Sequence, residues 1–152
     1  MTGRDHPIVF VDANTIWHRR LATALGEVAA PTIAFTPYRS WLPGRQIETI
    51  DDSGTRFVSV GLLPGWASKT AAVGQRHLAW RVGNLIERCR GEAVVILTSP
   101  KYTRLARRLR YRVRLVYYCA DDYRSYAGWG GDSIAAPEAE MVDAGALSFL
   151  AS

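Results

Sequence analysis

Four short apolar runs, with segments at helical spacing among the stretches between them, constrain this chain more than any other feature. They are "IVFV" at 8–11, "TIAF" at 32–35, "AVVIL" at 93–97 and "LVYYC" at 115–119. A strand with one wet face alternates apolar and polar residues. A continuous apolar run needs cover on both faces. Strands covered on both faces and joined through helices run parallel, because a tight hairpin cannot connect parallel neighbours. The expectation is a Rossmann-like, doubly wound α/β domain with a mostly parallel sheet and helices on both faces.

The intervening segments fit that scheme. Trp17, Leu21, Leu25 and Val28 recur at spacings of four and three, so a first helix follows the first strand. Asn14 or Thr15 can cap its start, and Gly26 lies near its end. "PYRSWLPG" at 37–44 reads as a loop by its proline and glycine. Gln46–Ile50 and Thr55–Val60 read as two strands around the turn "DDSG". A long helix is predicted from about Ser68 to Arg90, with Leu78, Val82, Leu85, Ile86 and Cys89 on one face. After "AVVIL", Ser99 is a natural N-cap and Pro100 suits a first helical position. The helix it opens carries Tyr102, Leu105 and Leu109 inside and arginines outside. Pro137 is expected to open a further helix, with Glu138 and Glu140 in its first turn, and "ALSFLA" is a final strand.

Open sheets of this kind bind ligands outside the carboxyl ends of their strands, where strand order reverses. Candidate positions follow from this rule alone. They are Asp12, Asn14, Thr15 and His18 after the first strand, and Thr36, Tyr38 and Arg39 after the second. Thr98, Ser99 and Lys101 follow "AVVIL", and Asp121, Asp122 and Tyr123 follow "LVYYC". The last group stands out: a buried strand delivers two adjacent acids among the aromatics Tyr117, Tyr118, Tyr123, Tyr126 and Trp129. Adjacent carboxylates repel unless solvent or a ligand relieves them, although either could simply cap a turn. Lys101 falls in the first turn of a helix, where the dipole disfavours a cation, which suits an anionic ligand. His18 reads equally as a polar helix residue or as a contact to a substrate phosphate or hydroxyl.

Several chemistries are excluded. The first turn, "VDANTIW", has no glycine, so it is no dinucleotide fingerprint. "GWASKT" has Ser68 before its lysine and Leu63 five residues further back, where a phosphate loop needs glycines. His6, His18 and His77 are scattered and no Cys-x-x-Cys occurs, so no metal is expected. Cys89 and Cys119 read as free buried thiols, since nothing in their spacing asks for a bridge.

The 152 residues suit one domain, and no apolar run approaches the roughly 18 residues that span a bilayer. The short apolar segment near the N-terminus meets Asp12 too soon for a signal peptide, so a cytoplasmic protein is expected. The net charge is +5, with lysine only at Lys69 and Lys101 and arginine supplying the rest. Seven basic residues fall in "KYTRLARRLRYRVR" at 101–114. The apolar positions there keep helical spacing, so a solvated helix face is the first reading. Peripheral contact with an acidic membrane surface is the second, and nucleic acid the third.

"LVYYCADDYRSYAGW" followed by "PEAEMVDAGALSFLAS" resembles the N-terminal half of GT-B-type glycosyltransferases, in the family-4-like group that builds bacterial surface polysaccharides. The matching positions are Tyr118, Asp121, Asp122, Glu138, Met141, Asp143 and Ser152, and "TSPKY" at 98–102 resembles the segment after that family's fourth core strand. The likeness is sharper over 93–152 than over 8–110. Gly145 departs from it, standing where the family usually has an acid.

The resemblance implies an acceptor-binding domain. Asp121 or Asp122 would orient the acceptor hydroxyl or stabilise charge building on the donor sugar. Asn14, Thr15, His18, Tyr38, Ser99, Lys101 and Tyr123 would line the acceptor side. The acceptor would be a sugar or lipid-linked sugar. The nucleotide-sugar donor would be a substrate bound mainly by a second domain, with no cofactor. That second domain is absent from these 152 residues, so the chain is expected to be truncated and inactive alone. The alternative is a free-standing Rossmann-like module that binds a small anion or nucleotide without catalysis.

Overall fold

The computed structural model describes residues 6–42, 45–65, 71–88, 93–119, 131–144 and 147–150. Seven strands form one sheet. They are β1 (Ile8–Val11), β2 (Thr32–Arg39), β3 (Gln46–Ile50), β4 (Arg56–Leu62), β5 (Val94–Leu97), β6 (Arg114–Cys119) and β7 (Leu147–Leu150). Their order is β3-β4-β2-β1-β5-β6-β7, and every neighbouring pair is parallel except β3 with β4. The helices are α1 (Ile16–Val28), α2 (Ala71–Arg88), α3 (Thr103–Leu109) and α4 (Gly131–Asp143). A 3₁₀ turn, Pro100–Tyr102, precedes α3.

The pleat divides the core in two. Val9 and Val11 face one way with Val95 and Leu97, packing under Leu78, Val82 and Ile86 of α2, Leu105 and Leu109 of α3, and Met141 of α4. Ile8, Phe10 and Ile96 face the other way, under Leu21, Ala22 and Leu25 of α1. This accounts for the continuous apolar runs. All four residues of β1 are buried, so neither face tolerates a polar side chain.

Two boundaries differ furthest from expectation. β2 continues through Pro37 to Arg39, where a loop was predicted. The strand faces β1 at Phe35, whose carbonyl accepts from Asp12 N at 3.0 Å and Ala13 N at 2.9 Å. Two residues on, Pro37 faces the same side after β1 has ended, so its missing N–H costs no ladder bond. Its carbonyl accepts from Asn14 Nδ2 at 2.9 Å instead.

Pro137 does not open α4 but lies inside it, six residues from its start. An interior proline costs a helix about 3 kcal/mol, so packing must offset it. Met141 is fully buried, and Thr103 Oγ1 donates to Pro137 O at 3.2 Å. No helix among the described residues is long and apolar enough to cross a membrane.

Candidate functional site

β1 lies between β2 and β5, and the chain winds outward from it in both directions. The switch point predicted for such a sheet is therefore the crevice at the carboxyl ends of β1 and β5. Below it, Val11 and Leu97 are the last register pair. Just beyond, the buried Thr98 donates from Oγ1 to Val11 O at 3.1 Å and closes the gap between the strands.

Asp12 leaves β1 with φ at +74°, the only positive φ among the described non-glycine residues. Aspartate tolerates this left-handed geometry because its short side chain bonds locally. Here Oδ1 accepts from Asn14 Nδ2 at 2.5 Å. The turn reverses the chain into α1, and Thr15 caps that helix by accepting from His18 N at 3.1 Å. His18, 8% exposed, packs its ring between Phe10 and Tyr118, with centroids 5.9 and 6.1 Å away. Its Nδ1 lies 3.1 Å from Asp12 O. A carbonyl only accepts, so Nδ1 carries the proton, and the neutral tautomer that this selects has Nε2 as its acceptor.

The β5 side supplies the cation. Ser99 caps the 3₁₀ turn, its buried hydroxyl accepting from Lys101 N at 3.4 Å. Lys101 is half-buried. Burial pushes its ammonium below the ordinary lysine value, and the nearby Asp12 carboxylate partly opposes that. Gln75 of α2 donates from Nε2 to Lys101 O and ties the turn to the helix.

Of the residues expected from sequence, Asn14, Thr15, His18, Ser99 and Lys101 come together around this crevice. Tyr38 stands at the end of β2, on the far side of β1, half-buried. Thr15 and Ser99 both act as helix caps, which takes one acceptor site each and leaves each hydroxyl proton free to donate. Asp121, Asp122 and Tyr123 lie outside the described residues. Asp12 is the group that the acceptor-side list left out. Its signal was present in "VDAN", an acid and an amide at a strand exit with no glycine to make the turn.

Beside the crevice, Glu138 of α4 accepts from Tyr117 Oη at 3.2 Å and from Cys119 Sγ at 3.7 Å. Burial and the Glu138 and Cys119 contacts push the Tyr117 phenol far above its ordinary value, so it stays a donor at any ordinary pH. Cys119 is buried and in no disulfide among the described residues, and Cys89 lies outside them. Among the described residues, no three His, Cys, Asp or Glu side chains converge as a metal site would require. Among the described residues, the crevice thus holds the Asp12 carboxylate, the Lys101 ammonium, the His18 imidazole, the Asn14 amide and the Thr15 and Ser99 hydroxyls. That set can hydrogen-bond a polyhydroxylated or phosphorylated small molecule.

No family model and no curated protein matches the sequence. Its fold is shared with solved enzymes. A UDP-forming α,α-trehalose-phosphate synthase from Burkholderia xenovorans superposes with a TM-score of 0.58 at 14% identity, over 92% of this chain and 37% of that one. The same kind of enzyme from that organism, in complex with glucose-6-phosphate, gives 0.54 at 14% identity, over 91% and 38%. A structure from E. coli, described as trehalose-6-phosphate bound with UDP-2-fluoro glucose, gives 0.54 at 9% identity, over 88% and 38%. The chain spans about 37–38% of the length of these proteins. At such identities the likeness establishes a common Rossmann-like α/β fold.

Proposed function

We propose that this chain is the acceptor-binding part of a glycosyltransferase that moves a sugar from a nucleotide-sugar to a saccharide or lipid-linked saccharide. The observation that carries the reading is the switch-point crevice, where Asp12, Asn14, His18 and Lys101 converge from both sides of the reversal in strand order. Two properties of the crevice suit a sugar. Carboxylate, amide and imidazole acceptors pair with hydroxyls in numbers that a simple anion could not use. Tyr118, partly buried and in edge contact with the His18 ring, adds an aromatic group beside them. The structural neighbours support it, since one concerns enzymatic glycosyltransfer with retention and another holds glucose-6-phosphate.

In this reading Asp12 and the Nε2 of His18 accept from acceptor hydroxyls and fix the ring. Lys101 faces the acceptor's negative charge where it has one. Asp121 or Asp122 orients the attacking hydroxyl or steadies charge on the donor sugar. The donor is a substrate held by a further domain, with no cofactor or metal, and the reaction takes place in the cytoplasm.

The test is a protein-observed NMR titration of the chain with glucose, glucose-6-phosphate, disaccharides and UDP-glucose. A saccharide or sugar phosphate is expected to shift the amides of Asn14–His18 and Ser99–Lys101, while UDP-glucose leaves them in place. Shifts there with UDP-glucose and with none of the sugars would overturn the acceptor assignment.

A further inference from the structure

A second cationic feature lies on the outer surface of α2 and α3, and the crevice does not use it. Where the two helices pack, Arg76 of α2 meets Arg104, Arg107 and Arg108 of α3 around a cleft of about 300 Å³, with Ala72 at its wall. All four arginines are exposed. Arg107 pairs with Glu140 of α4 at 2.8 Å. Among the described residues, Arg76, Arg104 and Arg108 pair with no acid.

Elsewhere Arg56 pairs with Glu48 at 2.9 Å, and Arg112 with Glu87 at 2.8 Å. Four guanidiniums facing one cleft repel one another, and a single carboxylate leaves three positive charges in excess. Guanidinium forks match phosphate oxygens bidentately and are weakly hydrated, so a phosphate-rich anion relieves that repulsion better than chloride does. The cleft is at the small end of ligand-sized pockets, roughly 300–1,000 Å³. A carboxylate or a single phosphate would leave part of the charge unanswered.

The surroundings place the cleft near the binding edge. Both helices start at the carboxyl ends of the strands, and Gln75, the neighbour of Arg76, holds Lys101 O. Along α2, Val73 and Trp80 flank Arg76 at helical spacing and are 60% and 57% exposed.

We propose that the α2–α3 cleft is a second ligand site, taking a diphosphate or a cluster of phosphate groups on Arg76, Arg104, Arg107 and Arg108. The same chemistry comes from a soluble diphosphate or from the headgroups of an anionic bilayer. The site does not depend on the glycosyl-transfer reading, because none of its residues belongs to the switch-point crevice.

The experiment titrates the chain with inorganic pyrophosphate by calorimetry. In parallel it is mixed with vesicles of phosphatidylcholine, with and without phosphatidylglycerol, in a flotation assay. The triple variant Arg76→Gln/Arg104→Gln/Arg108→Gln should weaken binding about tenfold or more, as expected when several exposed charge-assisted contacts are lost together. A control, Arg20→Gln/Arg45→Gln/Arg114→Gln, removes the same charge elsewhere and should bind as the parent does.

Pyrophosphate binding lost in the cleft variant supports a soluble source. Binding to phosphatidylglycerol vesicles alone, lost in the same variant, supports the bilayer. Three outcomes overturn the proposal: no binding to either ligand, equal losses in the two triple variants, or tighter salt-sensitive binding to duplex DNA through the same arginines. Circular dichroism of both variants checks that the fold is intact. Arg76→Lys/Arg104→Lys/Arg108→Lys keeps the charge and should recover part of the loss if the fork geometry matters.

Discussion

Replacing Asp12 with alanine and, separately, with glycine tests the geometry on which the crevice depends. Asp12 holds φ at +74°. A side chain at such an angle costs about 1–2 kcal/mol, which glycine does not pay. Aspartate recovers part of that through its bond from Asn14 Nδ2, worth about 0.5–1 kcal/mol at an exposed position. Asp12→Ala keeps the strain and loses the bond, so it should cost about 0.5–1 kcal/mol. Asp12→Gly loses the same bond but relieves the strain, and the two effects should nearly cancel. Glycine should therefore exceed alanine by about 1 kcal/mol, the reverse of their order inside a helix. Urea denaturation reads this as a midpoint about 0.5 M higher for the glycine variant, if the slope is near 2 kcal/mol/M. Both variants lose the carboxylate, so both should bind hexoses equally poorly despite their different stabilities. An alanine variant as stable as the glycine variant would show that the chain does not make this turn, and the crevice would lose its frame.

Three shorter predictions follow from other contacts. Gly26→Ala, which in most helices would stabilise by about 0.5–1 kcal/mol, should instead destabilise, because a Cβ there collides with the buried Thr55 Oγ1 just before β4; a raised thermal midpoint would contradict this. At Asp51, burial pushes the carboxyl up, but hydrogen bonds from Ser53, Thr23 and Thr55 outweigh it and hold the group below its ordinary value of 3.8. Its stabilising contribution is therefore present above that value and lost as pH falls through the lower folded-state value, so Asp51→Asn should be less stable than the parent at neutral pH and converge with it in strong acid, as urea midpoints across pH would show. In an active enzyme containing this chain, Asp121→Asn or Asp122→Asn should lower turnover about tenfold or more, about 1.4 kcal/mol of barrier, with folding unchanged by circular dichroism.

The hairpin shows how far local chemistry reaches. "DDSG" was legible as a turn, and Asp51 builds it by accepting from Ser53 N at 3.0 Å and Thr55 N at 2.9 Å. That the same carboxylate reaches α1 through Thr23 at 2.7 Å was not legible, because Thr23 lies 28 residues away. The candidate site divides in the same way. Asn14, Thr15, Ser99 and Lys101 were marked by their positions just past apolar strands. Their grouping required knowing that β5, and not β2 alone, borders β1. Asp12 was visible at the strand exit, but only its backbone angle and its closeness to Lys101 bring it into the crevice.

By itself, the sequence determined the class of fold. Continuous apolar runs cannot face water, helical spacing between them supplies the cover, and together these require a parallel sheet clothed on both sides. It also determined which residues emerge at the carboxyl edge, because the end of an apolar run marks the end of a strand. The tertiary structure decided what depends on contacts distant in sequence. It set the strand order that makes β1 and β5 the switch point, and it let β2 run through Pro37 where β1 no longer needs an N–H. It kept Pro137 inside α4, where packing outweighs the lost helix bond. It also carried Arg76 to the arginines of α3. Propensity and periodicity describe a residue and its near neighbours, whereas these four outcomes depend on which elements share the core.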